Sequence, residues 1–438
     1  MLSCRKETLA NGLRVVAVPM PHLHSAEIAL YLKVGGRSDP PGKAGLSHFL
    51  EHMLFRGNVE HPTTLELETA FEAIGGSVNA STDEEATCYF SRVHPDQAAE
   101  GIRLFAAMLL HPTLPGIEVE KRIITEEALE DLNEQGDEIN PHNLASRLLW
   151  PGHPLGDPTI GFLETIAGFT EADLRQHLAH YYVPANAVLA VAGAVDPVAV
   201  FAAAARAFAA WQGPLPLPLT PPGARQERPQ AQFVADADSQ VHLQLAFRGY
   251  ARHDRRIMPV RLLRRLLCGG GSSRLHLLLR EQLGIVYGVD ASLAAYEETG
   301  SFAVELSTAA DNLPRAVAEV LAEAQRLARE EVPAEELQRV KRSYFYDLEY
   351  SRDSCFEMQV RYGWGELMGL VRSIEEDRTE AEQVGVADLR QLAGDLFAPR
   401  NLNLVAVGPW NEGQRQEVER LVAEYESSWP TATTTDPA

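Results

Sequence analysis

Cysteine, long apolar runs and positive charge are all scarce in this chain. Its four cysteines stand singly at Cys4, Cys88, Cys268 and Cys355, with no C-x-x-C pair among them. That spacing excludes a disulfide framework and a thiolate zinc site. Cys88 and Cys268 read as small buried hydrophobes, since no neighbouring base marks either as a nucleophile. No apolar run reaches the ~18 residues of a bilayer-spanning helix. The stretch from Met1 to Pro19 also lacks the apolar segment and small-residue cleavage site of a signal peptide. A reduced, cytoplasmic protein is therefore expected. Basic residues number 39 against 61 acidic ones, for a formal charge of −22. Such a surface repels phosphate backbones and anionic headgroups, so no nucleic acid and no membrane is expected as a partner.

What the chain does have is apolar residues at 45% of its 438 positions, enough for roughly two or three domains with full cores. One proline-rich stretch, 213–230, reads GPLPLPLTPPGARQERPQ. Proline at that density blocks helix and central strand and favours an extended linker. It leaves two domain-sized halves, 1–212 and 231–426, and a tail, 427–438, whose TATTTDPA ending is expected to be disordered. The halves repeat one order of elements. In the first, a strand over Ala26–Val34 precedes a helix over Leu46–Arg56, a Gly75-Gly76 turn, strands through Val78–Arg92 and two helices. In the second, a strand over Val241–Phe247 precedes a helix over Met258–Leu267, glycines 269–271, strands through Val286–Leu306 and two more helices. Leu243, Leu245 and Phe247 alternate with His242 and Gln244, the pattern of a sheet covered by helices on one side. The expected fold is α+β, with two homologous α/β-sandwich halves, each a mostly antiparallel sheet with helices on one face.

The chemistry gathers at His48-Phe-Leu-Glu51-His52. On a helix, positions i and i+4 share a face one turn apart, so both imidazoles can reach one ion, with Glu51 beside them and free of it. This is the zinc-helix pattern H-E-x-x-H written in reverse. Two histidines packed quietly in a core would show the same spacing. A catalytic zinc takes three protein ligands, and the acidic helix Glu118–Glu130 offers a third. Glu120 and Glu127, seven apart, share a face, although a charge run of this kind is equally a solvated stripe. Spacing alone leaves Glu120, Glu126 and Glu127 open.

Together, the reversed motif and the Glu120-(six residues)-Glu127 helix that follows it resemble the pitrilysin/insulinase family of inverzincin zinc metallopeptidases. The closest likeness is to its half-sized subfamily that includes mitochondrial processing peptidase. The resemblance implies one Zn2+ per chain on His48, His52 and Glu127, with Glu51 as the base and Glu120 as an auxiliary carboxylate. It makes 1–212 the catalytic domain, and it makes Asn79 and Ala80 part of a substrate-binding edge strand. It also implies that Arg280 and Tyr287, seven residues apart, close over the zinc. The second half puts Arg261, Arg264 and Arg265 where His48, Glu51 and His52 stand, so 231–426 is implied to be a degenerate copy. The implied activity is endopeptidase cleavage of extended, unfolded peptides inside a closed chamber. The implied assembly is a homodimer, with a heterodimer with an inactive homologue as the alternative. Two rival functions stand beside it: a non-catalytic scaffold subunit of the same family, and a maturase dedicated to one ribosomal peptide. The segment Trp150–Gly156 also resembles a family segment and is expected to be structural.

Two further motifs are expected to be bland. Gly269-Gly-Gly-Ser-Ser-Arg274 lacks the G-K-[ST] ending of a phosphate cradle and reads as a turn. His177-Leu-Ala-His180 reads as a surface pair at a helix C-terminus.

Overall fold

In a computed structural model, residues 4–223 and 226–429 are described. They form two compact units, each built on its own sheet. The first unit comprises the chain up to Glu130, Asp157–Thr220 and Tyr346–Ile374. The second comprises Asp131–Gly156, Pro221–Phe345 and the chain from Glu375 onward. Compactness thus divides the chain differently from the contiguous halves 1–212 and 231–426, because each unit takes in one segment from the other half. The unit boundary at Thr220–Pro221 falls inside the proline-rich stretch, whose described residues before Gln230 form no helix or strand.

The first sheet contains β1 (Arg5–Thr8), β2 (Arg14–Pro19), β3 (Ala26–Leu32), β4 (Asn79–Thr82), β5 (Thr87–Val93) and β6 (Ala187–Gly193). Their order is β1-β2-β6-β3-β5-β4. All pairs are antiparallel except β2 with β6. Over one face lie α1 (Leu46–Leu54), α2 (Thr64–Ala73), α3 (Ala98–Leu110) and α4 (Ile117–Leu129). Ile28, Leu30 and Leu32 of β3 meet Phe49, Leu50, Met53 and Leu54 of α1 and Ile102 and Phe105 of α3 in one core. Each such fully buried side chain contributes about 1.5–3 kcal/mol.

The second sheet contains β7 (Gln230–Ala235), β8 (Val241–Arg248), β9 (Val286–Ala295), β10 (Gly300–Thr308) and β11 (Leu402–Gly408), in the order β7-β11-β8-β10-β9. Only β7 and β11 are parallel. Phe247 and Phe302 pack edge-on to Phe397, at centroid distances of 5.0 and 5.6 Å. Apart from β1, which has no counterpart in the second sheet, the two sheets share one topology, which is the α+β, two-copy fold.

Each sheet carries something on its opposite face as well. Strands β6 (AVLAVAG) and β11 (LNLVAVG) are buried at every position, so both their faces need cover. In the first unit the cover is the segment 346–374: Tyr31 donates a hydrogen bond of 2.8 Å to Gln359 Oε1. A Cβ on Gly363 would stand 2.4 Å from Ala190 Cβ and 2.8 Å from the Tyr31 ring. In the second unit it is α5 (Pro141–Leu149) and the turn after it. There Leu144, Leu149, Trp150 and Leu155 pack on Ala246, Ala303, Val405 and Val407. The Trp150–Gly156 segment is therefore part of a strap that covers a sheet.

The C-terminal helix runs over Glu412–Ser428, so Ser427 and Ser428 of the expected tail are helical. Residues 430–438 of that tail lie outside the described residues. No described helix is long and apolar enough to cross a membrane.

Candidate metal centre

The helix that carries the reversed motif starts abruptly. Gly45 adopts φ 92°, and a Cβ there would stand 2.3 Å from the Ile160 carbonyl oxygen, so only glycine fits. Gly45 has no side chain to cap the helix. Asp39 does it instead, accepting hydrogen bonds from Gly45 N at 2.8 Å and Ser47 N at 2.9 Å. Leu46, Phe49, Leu50, Met53 and Leu54 are buried in the core, which leaves His48 and His52 to meet α4.

Both imidazoles converge on Glu127. His48 Nε2 lies 3.7 Å from Glu127 Oε1, and His52 Nε2 lies 3.8 Å from Glu127 Oε2. The rings stand edge-on with centroids 4.6 Å apart. One ligand atom from each residue lies within 4.8 Å of the others. These separations exceed hydrogen-bond reach, yet they suit three atoms bound to one ion at about 2.0–2.2 Å each. Two imidazole nitrogens and a carboxylate are also the donor set of a catalytic zinc. Of the three glutamates left open by spacing, Glu127 is the one that approaches both histidines.

Glu120 has a different task. It is nearly enclosed, and its Oε1 lies 2.9 Å from His52 Nδ1, while Arg56 Nε approaches Oε2 at 3.5 Å. A hydrogen on Nδ1 shared with Glu120 leaves the Nε2 lone pair free on the side of His48 and Glu127, as a metal ligand requires. Burial would lower the His52 pKa, but the Glu120 hydrogen bond and the charges of Glu51, Glu120 and Glu127 outweigh it and raise it. His48 goes the other way: burial, then the neighbouring His52, pushes it down to about 3. It is a neutral imidazole, as a metal ligand must be. Glu51 is buried, which raises its pKa against a 2.5 Å hydrogen bond donated by Thr82 Oγ1.

Thr82 is the last residue of β4, which pairs only with β5 and is an edge of the sheet. Asn79 and Ala80 lie on that strand, opposite Phe90 and Tyr89. Arg280 and Tyr287 belong to the second unit. There the Arg280 guanidinium lies 5.3 Å from the centre of the Tyr287 ring, which is 85% exposed. The three arginines of the second copy are engaged locally. Arg264 Nη1 donates to the Ala291 carbonyl at 3.2 Å, Arg265 stacks 5.2 Å over Tyr344, and Arg261 Nη1 lies 4.0 Å from Asp377 Oδ1. Among the described residues, His48, His52 and Glu127 form the one group of metal-ligand type.

The glycine loop is held as a turn: Arg274 reaches Glu336 at 2.6 Å and Glu323 at 2.8 Å. Cys88 is buried and Cys268 partly so, and burial raises both thiols. His177 departs from expectation. It is 2% exposed, and its Nε2 lies 2.9 Å from Ser47 Oγ on the metal helix. Burial, then His180, pushes it down to about 3. Its place on the buried face of the helix α7 (Glu171–Tyr181), which follows α6 (Leu163–Gly168), is readable from Leu174, His177 and Tyr181 at i, i+3 and i+7. That stripe outweighs the position of His177 near the helix C-terminus.

Residues 14–161 match the family model described as Insulinase (Peptidase family M16), and residues 168–344 match that of the Peptidase M16 inactive domain. The chain belongs to the M16 family. Among M16 relatives, it is 30% identical over 398 residues to the uncharacterized zinc protease YmxG of Bacillus subtilis, covering 90% of this chain and 95% of that one. It is 29% identical over 415 residues to an uncharacterized zinc protease of Rickettsia bellii, covering 92% and 97%. A solved protease from Helicobacter pylori shares the fold at a TM-score of 0.86 and 21% identity, over 93% of this chain and all of that one. A peptidase M16 inactive domain from Pseudomonas fluorescens does so at 0.83 and 22%, over 94% and 98%.

Proposed function

We propose that this chain is a zinc-dependent endopeptidase acting on extended, unfolded peptides. The observation that carries the reading is the convergence of His48, His52 and Glu127 within 4.8 Å, with a buried carboxylate, Glu51, alongside. The relatives named as zinc proteases support it. His48 Nε2, His52 Nε2 and Glu127 would hold the ion. When bound, zinc supplies a Lewis acid that brings the pKa of water near 7 and polarises a carbonyl.

The remaining work falls to the protein. Glu51 takes a proton from the attacking water and returns it to the amide nitrogen as the C–N bond breaks. Its raised pKa makes it a stronger base than a solvated carboxylate. Glu120 holds His52 in one tautomer. A peptide lying along the open edge of β4 at Asn79 and Ala80 is bound through its main chain, which tolerates many sequences but requires an extended substrate. Thr82, at the end of that strand, touches Glu51, so a chain paired with β4 is led toward the base. Arg280 and Tyr287 would donate to the carbonyl oxygen of the substrate. In this proposal they act across chains in a homodimer.

The test is metal analysis together with cleavage of an unstructured peptide by wild type and Glu51→Gln. The expected result is one zinc per chain in both and cleavage only by wild type, a loss of about 10²–10⁴-fold in the variant. Stoichiometric zinc without cleavage of any unstructured peptide would move the reading to a scaffold subunit.

A further inference from the structure

We propose that His177, acting through Ser47, is a positioning residue for the helix that carries His48 and His52, fixing the turn from which His48 projects. The inference rests on the reading of His48, His52 and Glu127 as zinc ligands.

The two histidines are held unequally. His52 Nδ1 is bonded to Glu120, whereas His48 Nδ1 is buried with no hydrogen-bond partner among the described residues. The imidazole of His48 is therefore located by its backbone, in the first turn of α1. That turn is pinned through the preceding residue. Ser47 Oγ lies 2.7 Å from Asp39 Oδ1, 3.0 Å from the Gly35 carbonyl and 2.9 Å from His177 Nε2.

Proton bookkeeping orders the contact. A hydroxyl has one hydrogen to give; the Gly35 carbonyl only accepts, and Asp39 only accepts when it is ionised. Ser47 can then donate to Asp39, the shortest contact, while His177 donates from Nε2 to Ser47 Oγ; the Gly35 carbonyl is the alternative acceptor for the same hydroxyl hydrogen. His177 Nε2 stands 3.9 Å from Asp39 Oδ1, too far for a direct hydrogen bond, so it reaches the cap through Ser47. The three side chains resemble a Ser-His-Asp nucleophile set by composition alone. Ser47 is 1% exposed and its hydroxyl is committed to the cap, so no substrate reaches it. The network instead ties α7 to the turn that carries His48.

The test is zinc affinity by competition with a fluorescent chelator, alongside urea unfolding of the zinc-free protein. The variants are His177→Phe, His177→Gln, Ser47→Ala and the Ser47→Ala/His177→Phe pair. His177→Phe is expected to weaken zinc about tenfold or more. His177→Gln, whose terminal amide replaces the Nε2 donor, is expected to recover most of it. In the Ser47→Ala background, His177→Phe should cause no further loss of affinity. Ser47→Ala is the smaller perturbation and carries the same expectation if the phenylalanine variant does not fold. Lower stability with zinc affinity within twofold of wild type would overturn the inference, as would losses that multiply in the double variant. A folded wild-type chain that binds no zinc would overturn the metal reading and this inference with it. Tight wild-type binding with unchanged variants would overturn this inference alone.

Discussion

Glu120 Oε1 lies 2.9 Å from His52 Nδ1, joining the first turn of α4 to the last turn of α1. The carboxylate is only 5% exposed, so the bond is poorly screened by solvent. Glu120→Gln keeps the shape and removes the charge. Zinc affinity should fall about 10- to 100-fold, while the exposed neighbour Glu126→Gln should leave it unchanged. Chelator competition on the two variants measures both. Equal affinities would remove Glu120 from the site.

Two glycines give opposite signs for one substitution. Gly363→Ala forces a methyl to within 2.4 Å of Ala190 Cβ, a short side chain that has no rotamer with which to yield. The expected cost is about 1–3 kcal/mol. Gly394, in the helix Val386–Leu396, would place its new methyl in open space. Gly394→Ala should gain up to about 1 kcal/mol from helix propensity. Urea midpoints of the two variants check the pair.

Protons on the buried pair behind α1 pull stability in opposite directions. His177 titrates at about 3 when folded, against 6.5 ordinarily. Its contribution is present above pH 6.5 and lost as acid protonates the unfolded chain first. Burial raises Asp39 to about 7 from 3.8, against hydrogen bonds from Ser47, Gly45 and Leu46. Folding then favours the protonated form, so the Asp39 contribution is present below about pH 4 and lost as pH rises toward 7. Between pH 4 and 6.5 the two largely cancel. His177→Gln removes one of them. Relative to wild type, the zinc-free variant should lose stability as pH rises from 4.5 to 6.5, by up to about 1.4 kcal/mol per pH unit. A pH-independent difference in urea stability would contradict this.

Completion of the site across chains has a direct readout. A Glu51→Gln chain and an Arg280→Ala/Tyr287→Phe chain are each expected to be inactive. Mixed under conditions of subunit exchange, they should regain peptide cleavage, because one site of the mixed dimer is then intact. Absence of recovery despite demonstrated exchange would exclude the arrangement.

The helix of His48 and His52 was legible because one segment carries two patterns at once. Leu46, Phe49, Leu50, Met53 and Leu54 mark its core face, and His48 and His52 mark the other. Glu127 was less so: Glu126 and Glu127 are neighbours that point about 100° apart on a helix, and only the packing of α4 chooses between them. The position of His177 near a helix end points to the surface, but its stripe with Leu174 and Tyr181 points to the core, and the stripe decides. The straps on the second sheet faces were hidden for another reason. Their partners lie far away in sequence, as Tyr31 and Gln359 do, and no local pattern records such a pairing. The apolar runs of β6 and, after Asn403, of β11 were the available signal, since a strand exposed on one side alternates and these do not.

The interleaving of the units sets a timetable for the nascent chain. The sheet that supports His48 and His52 has all six strands once Gly193 is made, but the face bearing Tyr31 and Ala190 waits for Gln359 and Gly363. At about 5–20 residues per second that wait is on the order of 10 s. During it, an apolar sheet surface stands uncovered on the ribosome. The unit that carries His48 and His52 is therefore not expected to finish folding as an independent N-terminal product. A chain cut at the proline-rich stretch is expected to expose that surface permanently and to aggregate.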